Sequence, residues 1–317
     1  MISVLMATYN GERYIEKQLI SILKQTVMAD KVIICDDCST DSTVNIIRTF
    51  IELNKLDCWE LIVNEKNLGH YQTFIKLSSL ANSEILFFSD QDDIWFDNKI
   101  EIMSKAILED DQISMVFCRS NYIDDNDQVF KIPKTSGDIH ENPIHKQLTS
   151  WPSGYQTAIR NSMVKDIILN DYDSYIGFDY HDVLYGLTAP LYGKVKEIDI
   201  ILDSHRIHSN NVTLSVNNKS FKASKLERRE YIEKVANRFT SLEKISRSKN
   251  SIYSNLILEY RDFNKNRVSI LTNFSLFKLF IIWKNKKYYA SKKDFIADMI
   301  YAMNLSNIAR KLVEIRE

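Results

Sequence analysis

Along the first 125 residues, short apolar runs alternate with stretches whose apolar residues recur at helical spacing, the pattern of a mostly parallel sheet covered by helices. Strands are predicted at residues 2–7, 32–35, 61–63, 85–88 and 115–118. Between the first two, Ile15, Leu19, Ile22 and Leu23 fall on one helix face. Val44, Ile47 and Phe50 do the same after the second strand, behind Ser39, Thr40 and Asp41 as candidate caps. Residues 126–178, with Pro133, Pro143 and Pro152 among polar neighbours, read as loops and insertions. From about residue 220 the pattern turns helical. Residues 225–249 are strongly charged, 252–263 are amphipathic, and 274–283 form a short apolar block followed by Lys284, Lys286, Lys287, Lys292 and Lys293.

Charge adds a division that hydropathy alone leaves blurred. The net charge of the 317 residues is −1. Residues 1–218 carry 19 Lys and Arg against 32 Asp and Glu, a balance of −13, whereas residues 219–317 carry 22 against 10, a balance of +12. The expected organisation is therefore an acidic α/β body over residues 1–218, with halves at about 1–125 and 126–218, and a basic helical region over 219–317. The basic region meets something anionic, such as a membrane surface, or attracts the acidic body.

Composition narrows the class. No apolar run nears the roughly 20 residues that span a bilayer, and the first residues lack the basic region and cleavage site of a secretory signal, so the expected compartment is the cytoplasm. Four cysteines are too few for a disulfide framework, and the Cys35/Cys38 pair reads as burial at a strand end. No GxGxxG follows the first strand and no GxxxxGK[ST] occurs, which argues against a dinucleotide fold and a P-loop enzyme.

In open α/β sheets ligands bind outside the carboxyl ends of the strands, and here those ends are polar. Thr8-Tyr9-Asn10-Gly11 follows the first strand, Asp36-Asp37 the second, Asn64 and Asn67-Leu68-Gly69 the third, and Asp90-Gln91-Asp92-Asp93 the fourth. Hard divalent cations prefer carboxylate oxygens and share them with phosphates. An exposed Asp cluster after a strand suits Mg²⁺ or Mn²⁺ bridging to a diphosphate, although most such clusters are solvated turns.

These motifs, with Ser39-Thr40-Asp41 and Ser89-Asp90-Gln91-Asp92-Asp93-Ile94-Trp95, together resemble glycosyltransferase family 2 and its GT-A fold over roughly residues 1–215. The resemblance implies that Thr8, Tyr9 and Glu12 cradle a nucleotide, and that Asp36 and Asp37 recognise base and ribose. It implies that Asn67 and Gly69 close over the base, and that Asp90 and Asp92 form the metal-binding DxD motif. Lys66 is a further candidate for the diphosphate side. Residues 1–125 become the nucleotide-sugar half and 126–218 the acceptor half.

On the acceptor side, the family's acidic pair at a helix start corresponds to His181-Asp182. Asp182 would take the proton from an acceptor hydroxyl in a single inverting displacement. Asp179 is the rival base, and a helix cap is the bland alternative for either. The segment His205-Arg206-Ile207-His208-Ser209-Asn210-Asn211 resembles the family's Arg-x-His-x-x-Asn loop, which gives Arg206 to the diphosphate and His208 to the metal. Trp95 and Trp151 are expected to pack or to stack on sugar, and Gly154 to make a tight acceptor-side turn.

The wording Ser-Asp-Gln-Asp-Asp-Ile-Trp is most similar to bacterial rhamnosyltransferases that use dTDP-L-rhamnose for cell-wall or capsular polysaccharide. A UDP-hexose donor, a sugar-nucleotide pyrophosphorylase and a non-catalytic binding protein of the same fold are the competing readings. The expected acceptor is a saccharide, and a lipid-linked one would place the reaction at the inner face of the plasma membrane. There Phe274, Phe277, Leu279, Phe280, Ile281 and Trp283 either lie on an anionic leaflet or form core and dimer contacts.

Overall fold

The computed structural model describes residues 1–208 and 224–305. The expected boundary at residue 218 and residues Ser209, Asn210 and Asn211 of the basic loop lie outside the described residues. The chain divides into two compact units, one formed by residues 1–173 and 179–208, the other by 174–178 and the described part of 209–317.

In the first unit, ten strands form one mixed sheet: β1 (Ile2–Thr8), β2 (Lys31–Asp36), β3 (Trp59–Val63), β4 (Ile85–Ser89), β5 (Ile94–Trp95), β6 (Ile113–Ile123), β7 (Val129–Lys131), β8 (Ile139–Glu141), β9 (Thr157–Arg160) and β10 (Lys194–Arg206). The path runs β3-β2-β1-β4-β9-β6-β10-β5, with β7 paired to β6 and β8 to β10. Strands β1, β2, β3 and β4 are mutually parallel where they pair. The chain reaches β2 and β3 on one side of β1 and returns to β4 on the other, so the connection reverses between β1 and β4. At such a reversal ligands generally bind outside the carboxyl ends of the strands, and the polar motifs lie at those ends.

Helices α1 (Ile15–Leu23), α2 (Thr43–Asn54), α3 (His70–Leu80), α4 (Lys99–Leu108), α5 (Ile144–Gln147), α6 (Asn161–Leu169) and α7 (His181–Thr188) complete the unit. β1 and β4 are buried along almost their whole length. Val4, Met6, Ile34 and Phe87 join Ile15, Leu19 and Ile47 from the helices in one core, and this apolar anchoring fixes where each strand stops.

Residues 126–178 are more regular than their composition predicts. β9 lies in the middle of the sheet, antiparallel to both β4 and β6, and α6 follows it directly. Four residues covered on both faces carry no alternation to read.

The second unit is helical, with α8 (Lys225–Ser248), α9 (Ser254–Thr272), α10 (Leu276–Lys284) and α11 (Lys292–Ala302). Ser224 opens α8 with a capping box to Glu227. Ile232, Ile270, Leu271, Ile282, Ala297 and Tyr301 form its core. Within that core Asp298, 1% exposed, takes Arg228 and Arg267 together, at 2.7 and 2.6 Å.

Candidate active site

Loops after β1, β2 and β4 are stitched to one another by side chains. Gln91 reaches across to Tyr9, accepting from its backbone N–H at 2.9 Å and donating to its carbonyl at 3.0 Å. Gly11 makes room for that clamp, because a Cβ there would stand 2.2 Å from Gln91 Oε1. Asn10 Oδ1 accepts from Thr40 N at 2.9 Å, and the Glu12 carboxylate accepts from Ser42 N at 2.9 Å. Tyr9 itself remains 47% exposed at the mouth of these loops.

Asp36 and Asp37 are buried. Asp36 accepts from Thr8 Oγ1 at 2.8 Å and from the Ser39 hydroxyl at 2.6 Å. Asp37 accepts from Asn64 Nδ2 at 2.9 Å and from the N–H groups of Leu68 and Gly69 at 2.7 and 2.8 Å. Thr8, Asp36 and Asp37 thus shape the loops through these hydrogen bonds. Asn67 and Gly69 do form the turn into α3, with Asn67 Oδ1 accepting from Gly69 N at 3.0 Å and Gly69 at φ +84°, a conformation that favours glycine. Lys66 is exposed on that turn.

The acids of the fourth strand end separate into distinct environments. Asp92 Oδ2 lies 2.7 Å from His208 Nε2, and the His208 ring packs 5.2 Å from that of Tyr14. Asp93 is fully buried against His205, 2.7 Å away. Burial pushes its carboxyl up to about 6 despite the imidazole, while Asp93 overcomes the burial of His205 and lifts it to about 9. Tyr155 stacks on His205 at 4.3 Å.

Asp90 stands 3.8 Å from His70 Nε2. Burial opposes its charge, yet His70 pulls the carboxyl below its ordinary range. Burial likewise opposes the imidazolium of His70, and Asp90, followed by Asp182 and Asp92, draws it above the usual histidine value. The carboxylate at the end of β4 thus faces the imidazole that opens α3. Sequence reasoning missed His70. Its only signal was its position as the first residue of α3, immediately after the Asn67-Leu68-Gly69 turn.

Asp182 begins α7 as expected, with its Oδ1 accepting from Val183 N at 2.7 Å. Asp179, the rival base, is exposed and precedes the helix. His181 is not on an acceptor surface: it is 2% exposed and stacks on Phe74 at 3.9 Å. Neither of its ring nitrogens has a hydrogen-bond partner among the described residues, and burial keeps the ring neutral. Gly154 serves this packing, since a Cβ there would meet His181 Nε2 at 2.2 Å.

Arg206 and Trp95 are both buried. Arg206 is fully buried, donating through Nε to the Asp92 carbonyl at 2.8 Å and through Nη1 to the Asp124 carbonyl at 2.7 Å. It pairs with Asp127 at 2.6 Å. Its guanidinium holds the Asp92 loop in place. Trp95 is a core residue, 2% exposed beneath the Lys99 ammonium at 4.3 Å, the packing alternative of the two expected for it. Trp151 packs against Gly186.

Among the described residues no group of three or more His, Cys, Asp or Glu side chains is arranged to hold a metal ion by itself. The Asp92/His208 pair with Asp90 nearby fits a different arrangement. Mg²⁺ and Mn²⁺ commonly take one or two carboxylates and complete their shell with phosphate oxygens and water.

Known proteins share this fold. A TarS structure from S. aureus, solved in complex with UDP-GlcNAc, superposes with a TM-score of 0.60 at 19% identity, covering 98% of this chain and 92% of that one. The dTDP-rhamnosyl transferase RfbG of Shigella flexneri is 40% identical over 100 residues, 30% of this chain and 34% of that protein. The UDP-Glc:alpha-D-GlcNAc-diphosphoundecaprenol beta-1,3-glucosyltransferase WfgD of Escherichia coli is 30% identical over 131 residues, 41% of this chain and 50% of that protein. The matched stretches thus span a third to a half of these two relatives. The sequence profile of Glycosyl transferase family 2 matches residues 3–177, more than half of the chain. The chain belongs to glycosyltransferase family 2.

Proposed function

We propose that this protein moves a sugar from a nucleoside diphosphate donor to a saccharide hydroxyl, with inversion, in the synthesis of a bacterial polysaccharide. The observation that supports the reading is the pairing of Asp92 with His208 at 2.7 Å beside Asp90, which stands 3.8 Å from His70 at the start of α3, an acidic set at the strand ends where a donor's diphosphate would bind. Asp182 is the general base that accepts the proton of the attacking hydroxyl. Arg206 and Gln91 position the acids and the Tyr9 loop against the donor.

A divalent cation, Mn²⁺ or Mg²⁺, would be held by Asp92 and His208 with Asp90, and when bound it supplies positive charge to the departing diphosphate. For the donor we favour dTDP-L-rhamnose, supported by the likeness to the rhamnosyl transferase of Shigella flexneri. A UDP-hexose is the second reading, favoured by the likeness to the glucosyltransferase of Escherichia coli. The acceptor in this reading is lipid-linked, and the reaction occurs at the inner face of the plasma membrane.

The test is a panel of dTDP-rhamnose, UDP-glucose and UDP-N-acetylglucosamine with Mn²⁺, scored by nucleoside diphosphate release and thermal stabilisation. Release from dTDP-rhamnose alone supports the first reading, and release from a UDP-sugar alone supports the second. Release of pyrophosphate from a sugar phosphate and a nucleoside triphosphate, with none from any donor, would overturn both.

A further inference from the structure

The sequence left the apolar block of residues 274–283 with two accounts, a buried core helix or a surface-lying one. α10 is divided between them. Ile282 is 1% exposed and belongs to the core of the helical unit, with Leu279 packed against it. On the other side Leu276, Phe277, Phe280 and Trp283 are 76%, 73%, 55% and 52% exposed. Four large apolar side chains on a nine-residue helix form a contiguous face that water solvates poorly.

The chain segment that carries that face is of one sign, the nearby Glu259 carboxylate being taken by Tyr288. Between Asp262 and Asp294 the chain has no acidic residue and eight Lys or Arg. One of these, Arg267, is consumed by the buried Asp298. Lys284, Lys286 and Lys287 are exposed at the end of α10, and Lys286 Nζ lies 5.5 Å from the ring centre of Trp283. Aromatic and aliphatic side chains beside solvated lysines are what an interfacial helix presents to lipid headgroups and acyl chains. A two-fold contact between copies of this face would instead set its own lysines against each other.

We infer that α10 docks the protein on an anionic lipid bilayer, with Leu276, Phe277, Phe280 and Trp283 entering the headgroup boundary and Lys284, Lys286 and Lys287 on the phosphates. The inference rests on unit geometry and charge, independently of the donor and acceptor proposed above. Its test reads binding and not turnover, so either idea can fail alone.

The experiment is sedimentation of the full chain with vesicles of phosphatidylcholine alone and with phosphatidylglycerol added, together with tryptophan emission. Wild type is expected to bind the anionic vesicles at least about ten-fold more strongly, with salt weakening the binding. Its emission should shift to the blue, because Trp283 is the most exposed tryptophan on this face while Trp59 and Trp95 are buried. F277S/F280S should abolish binding, and K284Q/K286Q/K287Q should remove the preference for anionic lipid, with circular dichroism confirming an unchanged fold in each. Equal sedimentation with both vesicle types would overturn the inference. So would light scattering that shows a dimer dispersed by F277S/F280S while wild type ignores vesicles.

Discussion

His208 Nε2 and Asp92 Oδ2 are 2.7 Å apart although 116 positions separate them in the chain. Arg206 makes that meeting possible, because its side chain pins the Asp92 carbonyl at 2.8 Å two residues before His208. A mixed oxygen and nitrogen pair of this kind is suited to share a cation with a phosphate. His208→Ala is expected to raise the Mn²⁺ concentration needed for half-maximal transfer by about 10–100-fold, with little change in fold. Titration of transfer with Mn²⁺ checks this, and an unaltered metal curve would remove His208 from the cation's surroundings.

The clamp of Gln91 on the Tyr9 backbone predicts a separate effect on donor binding. Gln91→Ala deletes two hydrogen bonds at exposed positions and should cost only about 1 kcal/mol of stability. It frees the Tyr9 loop, so the KM for the donor should rise several-fold more than kcat falls. Gly11→Ala should reproduce the phenotype, since its methyl group would collide with the same amide. Equal changes in kcat and KM for either variant would mean that the clamp does not act through donor binding.

Much of this site was legible in the sequence because strand ends follow from apolar runs. The runs at residues 2–7 and 85–88 set where Thr8 and Asp90 emerge, and ordered polar motifs lie at successive strand ends. Burial was less legible. Arg206 and Trp95 advertise charge and an aromatic ring, but the sequence does not say that Asp127 and Lys99 cover them. β9 escaped notice because Thr157-Ala158-Ile159-Arg160 is too short to show a period, and its place between β4 and β6 depends on partners distant in the chain. His70 was missed because a single histidine carries no signal until Asp90 is seen facing it.

Asp182 and Asp179 make a discriminating pair. Asp182 is the second residue of α7 and its Oδ1 accepts from Val183 N at 2.7 Å, whereas Asp179 lies before the helix and is exposed. Asp182→Asn should therefore lower kcat by at least about 100-fold, the range of general-base contributions, while leaving donor affinity nearly intact. Asp179→Asn should change kcat by less than about ten-fold. Donor affinity by calorimetry and single-turnover transfer separate the two quantities, and the reverse ranking would assign the proton transfer to Asp179.

The helical unit predicts a dependence of stability on pH that is independent of catalysis. Burial opposes the charge of Asp298, but Arg267 and Arg228 outweigh it and hold the carboxyl below its ordinary range. A carboxyl depressed on folding contributes stability that is fully present above its unfolded value of about 3.9. That contribution is lost as pH falls from there through the folded value. Urea unfolding followed by circular dichroism should show the midpoint for helix loss dropping as the pH is lowered below about 4. Asp298→Asn leaves two buried guanidinium groups without their counter-charge and should cost about 3–5 kcal/mol at neutral pH. Its acid-side slope should also be shallower than that of wild type, because the group that titrates is gone. Parallel slopes for the two proteins would show that Asp298 is not what the acid limb reports.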